Sequence, residues 1–313
     1  MQNTDVHNLT EASRIYYSYE ENRVVLTGKK LWICLPTGQI IACREDIPNA
    51  HKLLFLPQKQ LLICGGNGTT YRLVSMEDGS DIWTVPQIKK LSTCGSHFSV
   101  SPDGKYAFDF YEWHGQYCLV RIDLLSGLID TFALHGGLRA LQDITCNQEG
   151  NLLLLRAQID KVDAHDVCRS EIRQVNWDTR ESARLNCWQS DLASAPCGFA
   201  NASHSILTKN LRIIEMPTAE KYSLLENNAT WKQPGLGPHS FWFTVDGKYI
   251  CIAYDNANVI IDLQTRKIVA QYPGYFFRGC LIGDEYWVPT GEGVVRKRFP
   301  LIENIPPRKL SYF

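Results

Sequence analysis

No stretch of the 313 residues approaches the roughly 18 consecutive apolar residues of a membrane span. The start, MQNTDVHNLTEASR, lacks the basic segment followed by an apolar one that marks an export leader. The sequence therefore reads as a protein neither exported nor embedded in a membrane. Charge of one sign is missing too. Lys+Arg number 32 against 33 Asp+Glu, a formal net charge of -1, which leaves no strong basic field for nucleic acid or an anionic membrane surface. No window sustains the i, i+3, i+4, i+7 apolar spacing of a helix, so an α/β assignment fails. C-x-x-C does not occur. The Gly-rich stretch Gly65-Gly66-Asn67-Gly68 reads as a hairpin turn, because no helix follows it to hold a phosphate.

What is present is a large apolar complement, 44% of residues, enough for a sizeable core. Eleven cysteines are scattered through apolar runs such as LWICL, LLICG and KYICIAY. In a chain of this size that placement reads as buried, reduced thiols in the cytoplasm rather than a disulfide framework.

The chain repeats itself. HFSVSPDGKYAFDF followed by YCLVRIDLLSGLIDTF matches HSFWFTVDGKYICIAY followed by NVIIDLQTRKIVAQY. Each copy has an apolar strand, a D-G-K turn, a second strand, a third ending in I-D-L, a short turn and a fourth strand. A D-G pair between alternating apolar runs is a strong hairpin signal, and two-residue turns are expected at Asp103-Gly104 and Asp246-Gly247. Weaker copies begin at Ile15, Lys52, Asp143, Gly198 and Gly279, which makes seven units. The last apolar residue of each first strand falls at Tyr17, Phe55, Val100, Cys146, Phe199, Phe243 and Leu281. Successive spacings of 38, 45, 46, 53, 44 and 38 residues match the roughly 40 to 50 of a four-stranded propeller blade. A sheet that is apolar on both faces cannot bury itself, and radial stacking covers it. The predicted fold is all-β: a seven-bladed β-propeller of four-stranded antiparallel blades, one domain over residues 1–313. The tail Arg308 to Phe313, or the segment before Ser13, is expected to close the ring.

PHSFWFTVDGKYICIAY (238–254) and SHFSVSPDGKYAFDF (96–110) resemble the P-H-x-x-x-x-x-x-D-G-k-y repeat of the lactonase and YVTN type of propeller. More loosely they resemble TolB and WD-repeat blades. A Trp-Asp pair of the WD kind occurs in this repeat frame at Trp177-Asp178. The resemblance implies the architecture and carries over no catalytic residue.

Three histidines, His51, His97 and His239, precede the innermost strand of their units, which repeat symmetry places near the mouth of a central channel. Arg14, Arg139 or Asp143, and Arg278 come from other units. Such a ring could bind an anionic group or a peptide side chain; alternatively each histidine caps its own blade. The three imidazoles are unevenly spaced around the ring, so no metal is assigned, and no cofactor. Two connections, YEWHGQY (111–117) and AQIDKVDAHDVCRS (157–170), are longer than the template needs and read as loops on the same face. Tyr111, Trp113, His114, Tyr117 and Arg169 form a candidate recognition patch, since exposed aromatics and Arg are enriched at interaction hot spots. Asp160, Asp163, His165 and Asp166 match no calcium loop or zinc ligand set. Asp123, Asn176 and Asp262 end the third strands and are expected to make Asx turns.

Two functions fit. One is a non-catalytic module that binds a protein or peptide through its loop-rich face, the reading that needs no catalytic constellation. The other is a lactonase- or isomerase-like enzyme acting on a small anionic substrate at the channel mouth. Thiol titration of the native protein should label few of the eleven cysteines, and denaturation without reductant should expose all of them. A shortfall after denaturation would reveal disulfides.

Overall fold

A computed structural model describes residues 9, 11–50, 52–65, 69–88, 92–93, 98–113, 116–134, 141–162, 165–191, 195–199, 205–215, 220–224, 238, 240–244, 248–254, 257–273, 279–290 and 293–300. Their regular structure is entirely strand, in seven successive antiparallel meanders. The first sheet runs β1 (Ala12–Ser18), β2 (Arg23–Gly28), β3 (Leu31–Cys34), β4 (Ile40–Arg44). The second runs β5 (Lys52–Leu56), β6 (Gln60–Cys64), β7 (Thr69–Ser75), β8 (Asp81–Pro86). In the third, β10 (Ser99–Val100), β11 (Tyr106–Trp113), β12 (Gln116–Asp123) and β13 (Ile129–Ala133) are joined by a short β9 (Ser92–Thr93) paired with β11.

The fourth holds β14 (Leu141–Cys146), β15 (Leu152–Val162), β16 (His165–Val175) and β17 (Ser182–Asp191). The fifth holds β18 (Pro196–Phe199), β19 (Ile206–Thr208), β20 (Arg212–Glu215) and β21 (Glu220–Ser223), and the sixth β22 (Ser240–Phe243), β23 (Tyr249–Ala253), β24 (Ala257–Asp262) and β25 (Lys267–Pro273). The seventh has three strands among the described residues, β26 (Cys280–Ile282), β27 (Glu285–Thr290) and β28 (Gly293–Arg298). These are the blades of a seven-bladed β-propeller. All seven anchors read from the repeat fall in the first strand of their meander, Val100 in the two-residue β10. The tail 308–313 lies outside the described residues. No helix among the described residues is long and apolar enough to cross a membrane.

The turn chemistry follows the side chains that the repeat singled out. Asp123 Oδ1 accepts the backbone N–H groups of Leu125 and Ser126, Asn176 Oδ1 those of Asp178 and Thr179, and Asp262 Oδ1 that of Thr265. Each is an Asx turn joining third to fourth strand. The turn at Asp103-Gly104 departs from expectation. Its closing bond runs from the Ser101 N–H to the Tyr106 carbonyl, so the loop spans four residues rather than two. Pro102 has no N–H to pair across a tighter turn. Gly104 sits at φ 69°, and Asp103 Oδ1 accepts from the Lys105 N–H and the Ser101 hydroxyl. Asp246 and Gly247 lie outside the described residues.

Contacts divide the chain into two units, Met1–Ile82 with Leu224–Phe313, and Trp83–Ser223. Within the first, Tyr16, Val25 and Ile33 of the first sheet pack on Leu61, Ile63 and Val74 of the second. Ile15, Leu26 and Trp32 pack on Cys280, Ile282 and Trp287, joining the first sheet to the seventh. The Tyr272 and Tyr286 rings stack at 4.4 Å between sixth and seventh sheets, and the Tyr286 hydroxyl donates to Asn258 Oδ1 at 3.1 Å. Trp242, at the centre of the F-W-F run, joins that same inter-sheet cluster, as expected for blade-to-blade packing.

Within the second unit, Phe108, Phe110 and Leu119 meet Ile144, Leu152, Leu154 and Trp177, while Leu153, Leu155 and Ile172 meet Phe199, Ile206 and Ile214. The guanidiniums of Arg121 and Arg180 lie 5.1 and 4.7 Å from the centre of the Trp177 ring, whose Nε1–H donates to Asp130 at 3.0 Å. Cation–π and charge-assisted contacts thus lock the outer parts of the third and fourth sheets.

One polar network ties the first sheet to the second. Arg44 grips Asp46 through two 2.8 Å bonds and reaches Asp81, while Arg72, 4% exposed in its side chain, bridges Asp46 at 2.7 Å and Asp81 at 3.2 Å. The hydrogen-bonded Arg44, with Arg72 behind it, holds the Asp46 carboxyl well below the usual carboxylate range. A depressed folded pKa contributes stability above the unfolded value of about 4, and that stability is lost as pH falls through the folded pKa. Replacing Asp46 and Asp81 together by Asn leaves the buried Arg72 without an anion and should cost about 3 kcal/mol at neutral pH. Urea unfolding of wild type and variant at pH 7 and at pH 2 checks this: the gap should narrow in acid.

Candidate functional site

The two connections expected to be loops are strands. β11 and β12 pair continuously from Tyr106–Asp123 to Trp113–Gln116, and β15 and β16 from Leu152–Val175 to Val162–His165. The reason is alternation. Beyond Leu155 the side chains of Arg156, Gln158 and Asp160 share one face, and Ala157 and Ile159 the other, so the period of two carries on with a polar face.

The aromatic part of the patch divides accordingly. Tyr111 is only 4% exposed and pairs with Cys118 across the ladder; burial, with Cys118 adding to it, pushes its hydroxyl up to about 12. Tyr117 is half-buried and packs its ring against Phe110 at 6.3 Å. Both rings brace the hairpin. Trp113 ends β11, with its side chain outside the described part. His114, His51, His97, His239, Arg139 and Arg278 lie outside the described residues. Arg14 lies in β1.

Asp143, expected near the channel mouth, is buried and committed to backbone. Its Oδ1 accepts the Ile144 N–H at 2.9 Å and its Oδ2 the Phe199 N–H at 2.8 Å, which fastens the fourth sheet to the first strand of the fifth.

Arg169 stands on β16 in a different setting, 57% exposed in its side chain, with Nε 3.0 Å from Asp160 Oδ2. Around it the outer half of the fourth sheet forms an open groove of about 510 Å³. Glu171, 13% exposed, sits between Arg156 at 3.3 Å and Arg184 at 3.5 Å. Gln158 donates to Asp160 at 2.9 Å, and Gln189 and the exposed Cys187 complete the wall from β17. Arg156, Glu171 and Arg184 were not singled out from sequence; the R-x-Q-x-D spacing of Arg156, Gln158 and Asp160 is a signal for the first alone.

The arrangement is a ladder of alternating charge with amides between, suited to hydrogen-bonding an extended chain. Asp160 is spent on Gln158 and Arg169, and no metal-holding group of three ligands occurs among the described residues. Ile159 and Leu185 stay exposed on the same sheet.

No family model and no curated protein sequence matches the chain. Solved structures do. A chain of the nidogen/laminin complex is similar at 14% identity and TM-score 0.52, over 79% of this chain and 91% of that one. The C-terminal WD40 domain of Sif2 is similar at 11% identity and TM-score 0.53, over 91% and 80%. The Dos1 propeller is similar at 11% identity and TM-score 0.53, over 93% and 80%. At these identities the likeness shows the propeller fold.

If Asp143 is a fastener, Asp143→Ala should cost about 2 kcal/mol by orphaning two buried N–H groups. Chemical unfolding of that variant provides the measurement, and a change under about 0.5 kcal/mol would overturn the fastening role.

Proposed function

We propose that the protein is a non-catalytic propeller module that binds a protein or peptide in the cytoplasm, with residues 1–313 as a single domain. The observation that carries this reading is the groove on the extended fourth sheet. Arg156, Gln158, Asp160 and Arg169 offer alternating charge and amides at the two-residue period of an extended peptide. Further proposed partner-binding residues are His51, His97, His239, Arg139, Arg278, Tyr111, Trp113, His114 and Tyr117. The enzymatic alternative rests on the three histidines, none of which is among the described residues.

Selection of a displayed random-peptide library on the purified protein tests the reading. Selected peptides should lose about thirtyfold in affinity on Arg169→Glu, the size of a hot-spot truncation. The variant should keep the melting temperature of the wild type, because Arg169 pairs only at the surface. Lys105→Ala, in a turn of the third sheet, should change neither. A single thermal transition is the signature of one domain. Peptides indifferent to Arg169→Glu, or turnover of a lactone or phosphosugar by the protein, would overturn the proposal.

A further inference from the structure

The charges lining the groove on the fourth sheet are sorted by depth and by end. The carboxylates are recessed: Glu171 is 13% and Asp160 27% exposed in their side chains, each within ion-pair distance of an arginine. Two arginines stand outward, Arg169 at 57% and Arg184 at 61%. Each meets its carboxylate through Nε, at 3.0 Å for Arg169 with Asp160 and 3.5 Å for Arg184 with Glu171. A guanidinium engaged at Nε still presents the end-on fork of its two Nη nitrogens, the edge that grips a carboxylate through two parallel bonds. A ligand arriving from water therefore meets cations first.

The two ends differ in balance. Alternate side chains of β15, β16 and β17 share the groove face, so the register shows which charges are neighbours. At one end Arg169 stands beside two carboxylates, Asp160 and Asp191, which share the rung of Val167. At the other end Arg156 and Glu171 share a rung, and Arg173 and Arg184 share the next on that face, three arginines to one carboxylate. Glu171 is already engaged by both Arg156 and Arg184. The Arg173 Nε is buried and has no hydrogen-bond partner among the described residues. Like charges directly opposite one another destabilise a sheet. The Arg173–Arg184 rung is unfavourable as it stands, and an anion seated over it offsets the repulsion.

We propose that the occupant of the groove is an acidic peptide segment, one of whose carboxylates sits on the Arg184 fork in the field of Arg156 and Arg173. The following residues run along the amides of Gln158 and Gln189 toward Arg169. This rests on the peptide-binding reading of the groove and names the chemistry of the peptide. With a formal net charge of -1 the protein as a whole does not gather anions. The attraction is local, and its effect is to fix which residue of the peptide lies at which end.

Peptides selected on the protein, labelled with fluorescein and titrated by fluorescence anisotropy, provide the test. Those that need Arg169 should carry an Asp or Glu whose change to Asn or Gln weakens binding to the wild type about tenfold or more, and binding to Arg184→Gln hardly at all. Against Arg169→Gln the same change should keep most of its effect. Arg184→Glu should bind the form with Lys at the acidic position more tightly than the acidic form, a reversed preference that a merely misfolded variant cannot show. Added salt should weaken the acidic peptide more than its amide form. Peptides that depend on Arg169 but carry no acid coupled to Arg184, or a preference that Arg184→Glu does not reverse, overturn this inference and leave the peptide-binding groove standing. Peptides indifferent to Arg169, or a library without binders, overturn the groove and this inference with it.

Discussion

Burial of both faces of the inner strands is the constraint from which the other features follow. β3 and β24 are buried at every position, and β2, β6 and β23 at all but the first. A meander of that kind has no stable existence alone, because every apolar side chain on one face needs a neighbouring sheet. Sheet-on-sheet packing therefore comes first in the energetics, and polar groups are admitted only where they bind the sheets together. Asp143, Asn258 and the Arg44–Asp46–Arg72–Asp81 network all do this, each reaching from one sheet to the next.

Glycine enters where two backbones must touch. A Cβ on Gly28 would lie 1.9 Å from the Glu11 carbonyl oxygen, beside the start of β1. At the turns into the outermost strands the need is different, since the chain must pass through positive φ. Gly79 and Gly127 do so freely, at 77° and 72°, whereas Arg180 and Arg266 hold the matching positions at 60° and 53° against their preference. At Arg180 the compensation is visible: its guanidinium bonds Asp130 at 2.8 Å and covers the Trp177 ring.

The blades were legible because each is local in sequence. Alternation, D-G-K turns and I-D-L strand ends specify a meander within some forty residues, and the anchors from Tyr17 to Leu281 land in their strands for that reason. The candidate surface was less legible because polar strands resemble loops. AQIDKVDAHDVCRS has the composition of a connection, yet its polar residues alternate, and two 11-residue strands result. Tyr111 was read as an exposed aromatic because its hairpin was taken for a loop; in a ladder, every second residue turns inward. Groove formation depends on pairing three strands, β15, β16 and β17, and no single segment announces which side chains will share a face across them.

The joint between the first and seventh sheets has a kinetic meaning. Every other packed pair of sheets within the two units joins neighbours in the chain, so its contacts span short loops. Ile15 and Leu26 meet Ile282 and Trp287 across nearly the whole sequence. Closing so long a loop carries an entropy cost that the local meanders avoid, and contacts of that range are made slowly. Neighbouring blades can pair early through such short-range contacts, as in other repeat proteins. The Ile15–Trp287 seam is then the last part of the first unit to assemble, and the place where a newly made chain would longest expose apolar surface.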